Sequence, residues 1–224
     1  MTSLNQLNRP ELVAGRKADQ FAPIVYAIDD DEGMLTSLAW LLSGSSIESR
    51  CFQSVEAFLA SFDPDQPCCI VIDVRMPVMS GLDLYDIILE RKIAWPVIFV
   101  TANGTLSMAV NAIKSGAFDF IEKPYDPSEM LGLVTRALAI AAQDHARIQE
   151  SSGFEARFQS LSRREAEILR EVVRGKQSKI IAYELGISEK TVDVHRTSIR
   201  RKFKTPSVAA LVNDVLSHLP AWRD

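Results

Sequence analysis

Cysteine is nearly absent: Cys51, Cys68 and Cys69 are the only three in 224 residues. An odd count with no metal-ligand spacing argues against a disulfide framework or a cysteine-bound metal, and Cys68-Cys69 lies inside an apolar run of strand character. The three therefore read as buried thiols without a chemical role. Long apolar runs are missing too, and none approaches the roughly 20 residues that a membrane-spanning helix needs. Residues 1–22 are polar and lack the apolar core of a signal peptide, so they read as a flexible extension of a cytoplasmic protein. What remains is ordinary for a globular chain, with 47% apolar and 24% charged residues, and the length suits two domains.

Charge is unevenly distributed. Residues 1–150 carry 11 basic and 20 acidic side chains (net -9), whereas residues 151–224 carry 14 basic and 9 acidic (net +5). An acidic first part suits cations, and a basic second part suits a polyanion such as DNA.

Four apolar runs, Ile24 to Ile28, Cys68 to Ile72, Pro96 to Val100 and Phe118 to Ile121, alternate with segments of helical period. A weaker alternating run, Ile47 to Phe52, supplies an edge strand. Five such units predict an α/β domain of flavodoxin-like doubly wound (βα)5 architecture with strand order 2-1-3-4-5. Helices are expected from Ser54, after the loop Met76 to Gly81, over Leu106 to Lys114 and from Pro127 onward. The last of these patterns runs past the sheet and is expected to end at Ser151-Ser152-Gly153.

Asp29 and Asp30, Asp73, Thr101 and Lys123 each stand where one of these strands stops. Ligands of such sheets bind outside the carboxyl ends of the strands. Three carboxylates, a hydroxyl and an ammonium gathered there suit a divalent cation beside a phosphoryl group.

With these residues in that order, residues 24 to about 138 resemble a response-regulator receiver domain, which carries an acidic pair, an Asp, a Thr or Ser and a Lys-Pro after its first, third, fourth and fifth strands. The loop Asp73 to Gly81 and the segment Gly116 to Pro124 resemble the same family. The resemblance implies that Asp73 attacks the phosphohistidine of a partner sensor kinase to form an aspartyl phosphate. It implies Mg2+ held by Asp30, Asp73 and the Arg75 carbonyl, with Asp29 acting partly through water. Thr101 and Lys123 would engage phosphoryl oxygens, and Phe120 would be the switch aromatic that turns inward as Thr101 moves. The face made by residues 105 to 121 commonly dimerises in that family.

The remainder of the chain reads as helical throughout. Ser162-Arg163-Arg164-Glu165 forms a capping-box pattern, and Ser178 to Leu185, the turn Gly186-Ile187 and a third helix from Ser188 read as helix-turn-helix. On the third helix, at about 100° per residue, Val192, Ile199 and Phe203 share one side while Lys190, Val194, Thr197 and Arg201 project from the other. The second set is expected in the major groove, and Lys179, Arg196 and Arg200 on phosphates. Asp193 departs from an ideal basic groove face. Residues 154–219 resemble the LuxR-type helix-turn-helix through Leu161-Ser162, Glu165, Gly175, Leu185-Gly186-Ile187-Ser188, Thr191-Val192 and His195, among others.

Together these predict an extension (1–22), a receiver (23–141), a linker (142–157) and a DNA-binding domain (158–224). The combination resembles the NarL/FixJ class, closest to the FixJ branch. It implies a transcription factor that catalyses only its own phosphotransfer, and its own dephosphorylation, and is otherwise no enzyme. Expected partners are a sensor histidine kinase, promoter DNA, a second copy when phosphorylated and RNA polymerase, with no membrane. Two alternatives compete with this reading. Asp29-Asp30-Asp31 also matches the Asp-x-Asp of haloacid-dehalogenase-type phosphatases, but no later acidic motif follows Lys123. A small-molecule-sensing LuxR regulator would need an apolar ligand pocket in place of the carboxylates.

Overall fold

The structure, a computed structural model, describes residues 22–91, 93–102 and 106–223. The extension expected over residues 1–22 thus lies, except for Ala22, outside the described residues. The chain divides into two compact units, one ending at His145 and the other starting at Ala146.

The first unit alternates strand and helix: β1 (Ile24–Ile28), α1 (Glu32–Ser43), β2 (Ser49–Phe52), α2 (Val55–Ser61), β3 (Cys68–Asp73), α3 (Gly81–Glu90), β4 (Val97–Thr101), α4 (Leu106–Lys114), β5 (Asp119–Glu122) and the first part of α5 (Pro127–Gln159), whose remainder lies past His145. The strands form one parallel sheet in the order β2-β1-β3-β4-β5. Side chains alternate between its faces, and both faces are buried, which is why β1, β3 and β4 read as continuous apolar runs. Ile24, Tyr26, Ile28, Ile70, Ile72, Val97 and Phe99 form a core with Phe58, Leu84 and Ile88. Val25, Ala27, Cys69, Val71, Ile98 and Val100 form the opposite core with Leu35, Leu38 and Leu42 of α1 and Met130, Leu133 and Val134 of α5. Burying each of the Val, Leu, Ile, Phe and Met side chains among these contributes about 1.5–3 kcal/mol.

Local chemistry sets the helix starts. Asp31 caps α1 by accepting from the amides of Gly33 and Met34, and Ser80 with Asp83 closes a capping box on α3. At the sheet edge, β2 is only half buried, and Cys51 on it is exposed. That corrects the expectation of three buried thiols; Cys68 and Cys69, on a central strand, are fully buried, and burial pushes both thiols well up.

A second difference concerns α5, which continues through Ser151-Ser152-Gly153 to Gln159. Residues 142–157, expected as a linker, are helical throughout. Phe154 and Phe158 explain it: one turn apart, they join the core of the second unit.

That unit adds α6 (Arg163–Val173), α7 (Ser178–Leu185), α8 (Glu189–Phe203), α9 (Val208–His218) and a 3-10 turn at Pro220–Arg223. Its core gathers Ile168, Leu169, Val172, Ile181, Val192, Ile199, Phe203, Leu211 and Val215. Gly186 ends α7 in the left-handed conformation (φ 64°) that the tight turn into α8 requires. Among the described residues no helix is long and apolar enough to cross a membrane.

Candidate functional site

Parallel register does the first part of the work. Ile28 pairs with Ile72 and Val100 with Asp73, so the ends of β1, β3 and β4 lie level. Asp29 and Asp73 are there with 8% and 6% of their surface exposed. Between them sits the Lys123 ammonium, 2.6 Å from Asp29 Oδ2 and 2.9 Å from Asp73 Oδ1. Lys123 reaches this place from the end of β5, where its amide donates to the Thr101 carbonyl at 2.7 Å.

Burial pushes the Asp29 carboxyl up, and the bond from Lys123 only partly offsets this. Burial also works to lower the Lys123 ammonium, but Asp29 and Asp73 outweigh it and hold the group above its ordinary value. Lys123 is therefore locked as a cation. The second Asp73 oxygen, Oδ2, accepts the Arg75 amide at 2.8 Å, and Asp29 Oδ1 accepts the Asp31 amide at 3.0 Å. Thr101 is fully buried at the end of β4, while Asp30 is exposed beside Asp29. Phe120 is half-buried against the core, its ring 6.4 Å from that of Phe99.

Two carboxylates against one ammonium leave the buried cluster with an excess negative charge, to which Asp30 adds another. Among the described residues no three or more His, Cys, Asp and Glu side chains close around an ion. The donors present are nevertheless all oxygen: the carboxylates of Asp29, Asp30 and Asp73 and the main-chain carbonyl of Arg75. That is the chemistry Mg2+ selects, and Mg2+ usually keeps several waters and few protein ligands. The residues present fit it.

Gly81 is a part of the site that the sequence shows only as the end of the loop after Asp73. A Cβ there would lie 2.3 Å from the Asp73 carbonyl oxygen and 3.0 Å from Ile72 Cγ1. Only glycine lets the start of α3 rest against the end of β3. In the same loop Val78 is 98% exposed and in the left-handed region (φ 68°), a strain that no burial offsets.

In the second unit, Val192, Ile199 and Phe203 are buried, and Lys190, Val194, Thr197 and Arg201 are exposed along the other side of α8. These four, with Asp193 and Ser198, line a shallow depression. Lys179 is exposed on α7, and Arg196 and Arg200 are half-buried. Thr197 Oγ1 donates to the Asp193 carbonyl at 2.9 Å. Its hydroxyl is therefore engaged by its own helix. Ser178 Oγ donates to Asp193 Oδ1 at 2.8 Å and accepts from Arg196 Nη1 at 3.0 Å. This three-membered chain was not foreseen, although a serine in the first turn of a helix was a signal that could have pointed to it.

Residues 25–135 match the family described as the response regulator receiver domain, and residues 159–214 match bacterial regulatory proteins of the luxR family. The chain is 40% identical over 191 residues to the response regulator protein TodT of Pseudomonas putida, a match spanning 85% of this chain and 84% of that protein. Over 194 residues it is 40% identical to the transcriptional regulatory protein FixJ of Rhizobium meliloti, spanning 86% of this chain and 95% of FixJ. The solved structure of the response regulator StyR superimposes with a TM-score of 0.81 at 36% identity, covering 88% of this chain and 99% of StyR.

Proposed function

Because the chain belongs to the response-regulator family, joining a receiver domain to a LuxR-type DNA-binding domain as its transcription-regulating relatives do, we propose that Asp73 accepts the phosphoryl group and that α8 reads promoter DNA. The observation that carries the first part is the Lys123 ammonium held between two buried carboxylates at the ends of adjacent strands. An Asp73 oxygen attacks the phosphorus of a phosphohistidine on the partner kinase; the new O–P bond forms as the N–P bond breaks, and the imidazole leaves with the bonding pair. Lys123 is already within 2.9 Å of Asp73, so its charge meets the incoming phosphoryl oxygens without a large move. Thr101 donates to another of those oxygens, and Phe120 follows it inward. Mg2+ held by Asp29, Asp30, Asp73 and the Arg75 carbonyl would neutralise phosphoryl charge when bound.

In this reading the protein is a switch that catalyses only its own phosphorylation and the loss of that phosphate. Lys190, Val194, Thr197 and Arg201 meet base edges in the major groove, and Lys179, Arg196 and Arg200 hold phosphates. A second copy and RNA polymerase are the protein partners at the promoter, and the cytoplasm is the compartment. The phosphatase and small-molecule-sensor alternatives gain nothing from the family matches.

Incubation with a small phosphoryl donor and Mg2+, followed by peptide mapping, tests the acceptor. The label is expected on the peptide containing Asp73 and is expected to vanish in Asp73→Asn. Label on the peptide containing Asp29, retained in Asp73→Asn, would overturn the assignment.

A further inference from the structure

We propose that Asp193, an acidic residue on the DNA-facing side of α8, strengthens DNA binding by positioning Arg196 through Ser178. The inference rests on the assignment of Arg196 to a phosphate. Electrostatics alone predicts the opposite sign, since a carboxylate in the depression lined by Lys190, Val194, Thr197 and Arg201 repels the DNA backbone. The hydrogen bonds decide against repulsion as its main effect. Arginine only donates and an ionised carboxylate only accepts, so the order is fixed: Arg196 Nη1 donates to Ser178 Oγ at 3.0 Å, and the Ser178 hydroxyl donates to Asp193 Oδ1 at 2.8 Å. With its one proton committed to Asp193, the serine turns a lone pair to the guanidinium. Without Asp193, that hydroxyl is free to rotate.

Ser178 occupies the first turn of α7, and the N-cap residue Gln177 makes no side-chain cap bond there. The guanidinium is thus tethered beside helix-start amides that have no side-chain acceptor, a place suited to a phosphate. A free arginine side chain loses rotamer entropy when it is fixed on a ligand. Here part of that cost is met before DNA arrives, and one nitrogen of the fork is tied to Ser178 while the others stay available to the phosphate. Asp193 is a positioning residue in this account and touches no DNA itself.

The test uses the full chain and a mixed-sequence duplex of about 30 base pairs, with affinity measured by fluorescence anisotropy across a KCl series. Each phosphate contact contributes about 0.9 to the slope of log K on log salt. Arg196→Ala is expected to lower the slope by about that amount. Asp193→Ala and Ser178→Ala are expected to lower it likewise and weaken binding several-fold, although the first removes a negative charge. Asp193→Asn, whose amide oxygen still accepts from Ser178, should restore the slope. In an Arg196→Ala background, Asp193→Ala should cause no further loss. A purely structural role would lower the melting temperature and leave the slope unmoved, which overturns the proposal. Tighter binding of Asp193→Ala in both backgrounds also overturns it, in favour of simple repulsion. An unchanged slope for Arg196→Ala removes the phosphate assignment itself and the proposal with it.

Discussion

At the scale of single residues, the proposed phosphoryl site depends on one side chain that is missing. The Asp73 carbonyl oxygen occupies the space a Gly81 Cβ would take, at 2.3 Å, and the oxygen belongs to the main chain of a buried central strand. Gly81→Ala must therefore move either α3 or Asp73. An error of about 1 Å at a reacting group can cost on the order of 100-fold in rate. We expect Gly81→Ala to slow labelling of Asp73 by at least about tenfold while DNA affinity of the unphosphorylated chain stays as it was; labelling at the wild-type rate would remove Gly81 from the site. The identities of Asp29, Asp73 and Lys123 were legible in the sequence because each ends an apolar run, and strand ends in a parallel sheet share one edge. The Gly81 contact was not, since a close approach between main chains leaves no mark beyond the glycine, and glycine has many uses in a loop.

Among elements, the sequence was least informative about α5. Ser151-Ser152-Gly153 has the composition of a break, and a glycine inside a helix costs about 1 kcal/mol relative to alanine. Long-range packing offsets this: the Phe154 ring stacks on His218 at 4.1 Å and meets Phe203 edge-on at 5.7 Å, and Phe158 meets Trp222 at 5.6 Å. Those partners lie 49 to 64 residues further along the chain, out of reach of any local pattern. The opposite holds for α6, whose capping box was plain from Ser162 and Glu165 alone, although its second function was hidden. Glu165 Oε2 also accepts from Lys202 Nζ at 2.7 Å, pinning the last turn of α8 to the start of α6. Burial pushes the Glu165 carboxyl up, but the bonds from Lys202, Ser162 and Ser198 prevail and hold it down at about 2. A carboxyl with a folded value below its unfolded 4.5 stabilises the fold fully above about pH 4.5 and loses that contribution as pH falls toward 2. The difference amounts to about 3 kcal/mol at most. Glu165→Gln should therefore destabilise the second unit at pH 7, and the gap from the parent should narrow as pH falls to about 3. Denaturation followed through Trp222, with Trp40 and Trp95 replaced by Phe in both proteins, measures it. A gap of equal size at both pH values would show that charge at Glu165 contributes nothing.

For the whole molecule, the charge split along the sequence, acidic up to residue 150 and basic after it, pointed to two parts with different partners. Periodicity alone could not give a partner surface, since an apolar residue on a helix reads as core until packing leaves it uncovered; only the resemblance pointed to the face of residues 105 to 121. Val110 and Ile113 of α4 are such residues, 40% and 46% exposed, one turn apart, beside β5, which among the described residues pairs only with β4 and ends the sheet. Phe120 on β5 is half-buried between core and surface, so an inward turn that follows phosphorylation of Asp73 would reshape this same face. A second copy brought to it would cover apolar area now in water, at roughly 25 cal/mol per Å2, and would present two DNA-binding units to paired half-sites. We therefore expect sedimentation to show a monomer without a phosphoryl donor and a dimer with one, and only a monomer for Asp73→Asn. Ile113→Glu places a charge in the proposed interface without touching Asp29, Asp73 or Lys123, so it should accept phosphate at the normal rate and remain monomeric. An unchanged mass on phosphorylation would remove dimerisation from the mechanism, whereas a phosphorylated Ile113→Glu dimer would move the interface elsewhere on the chain.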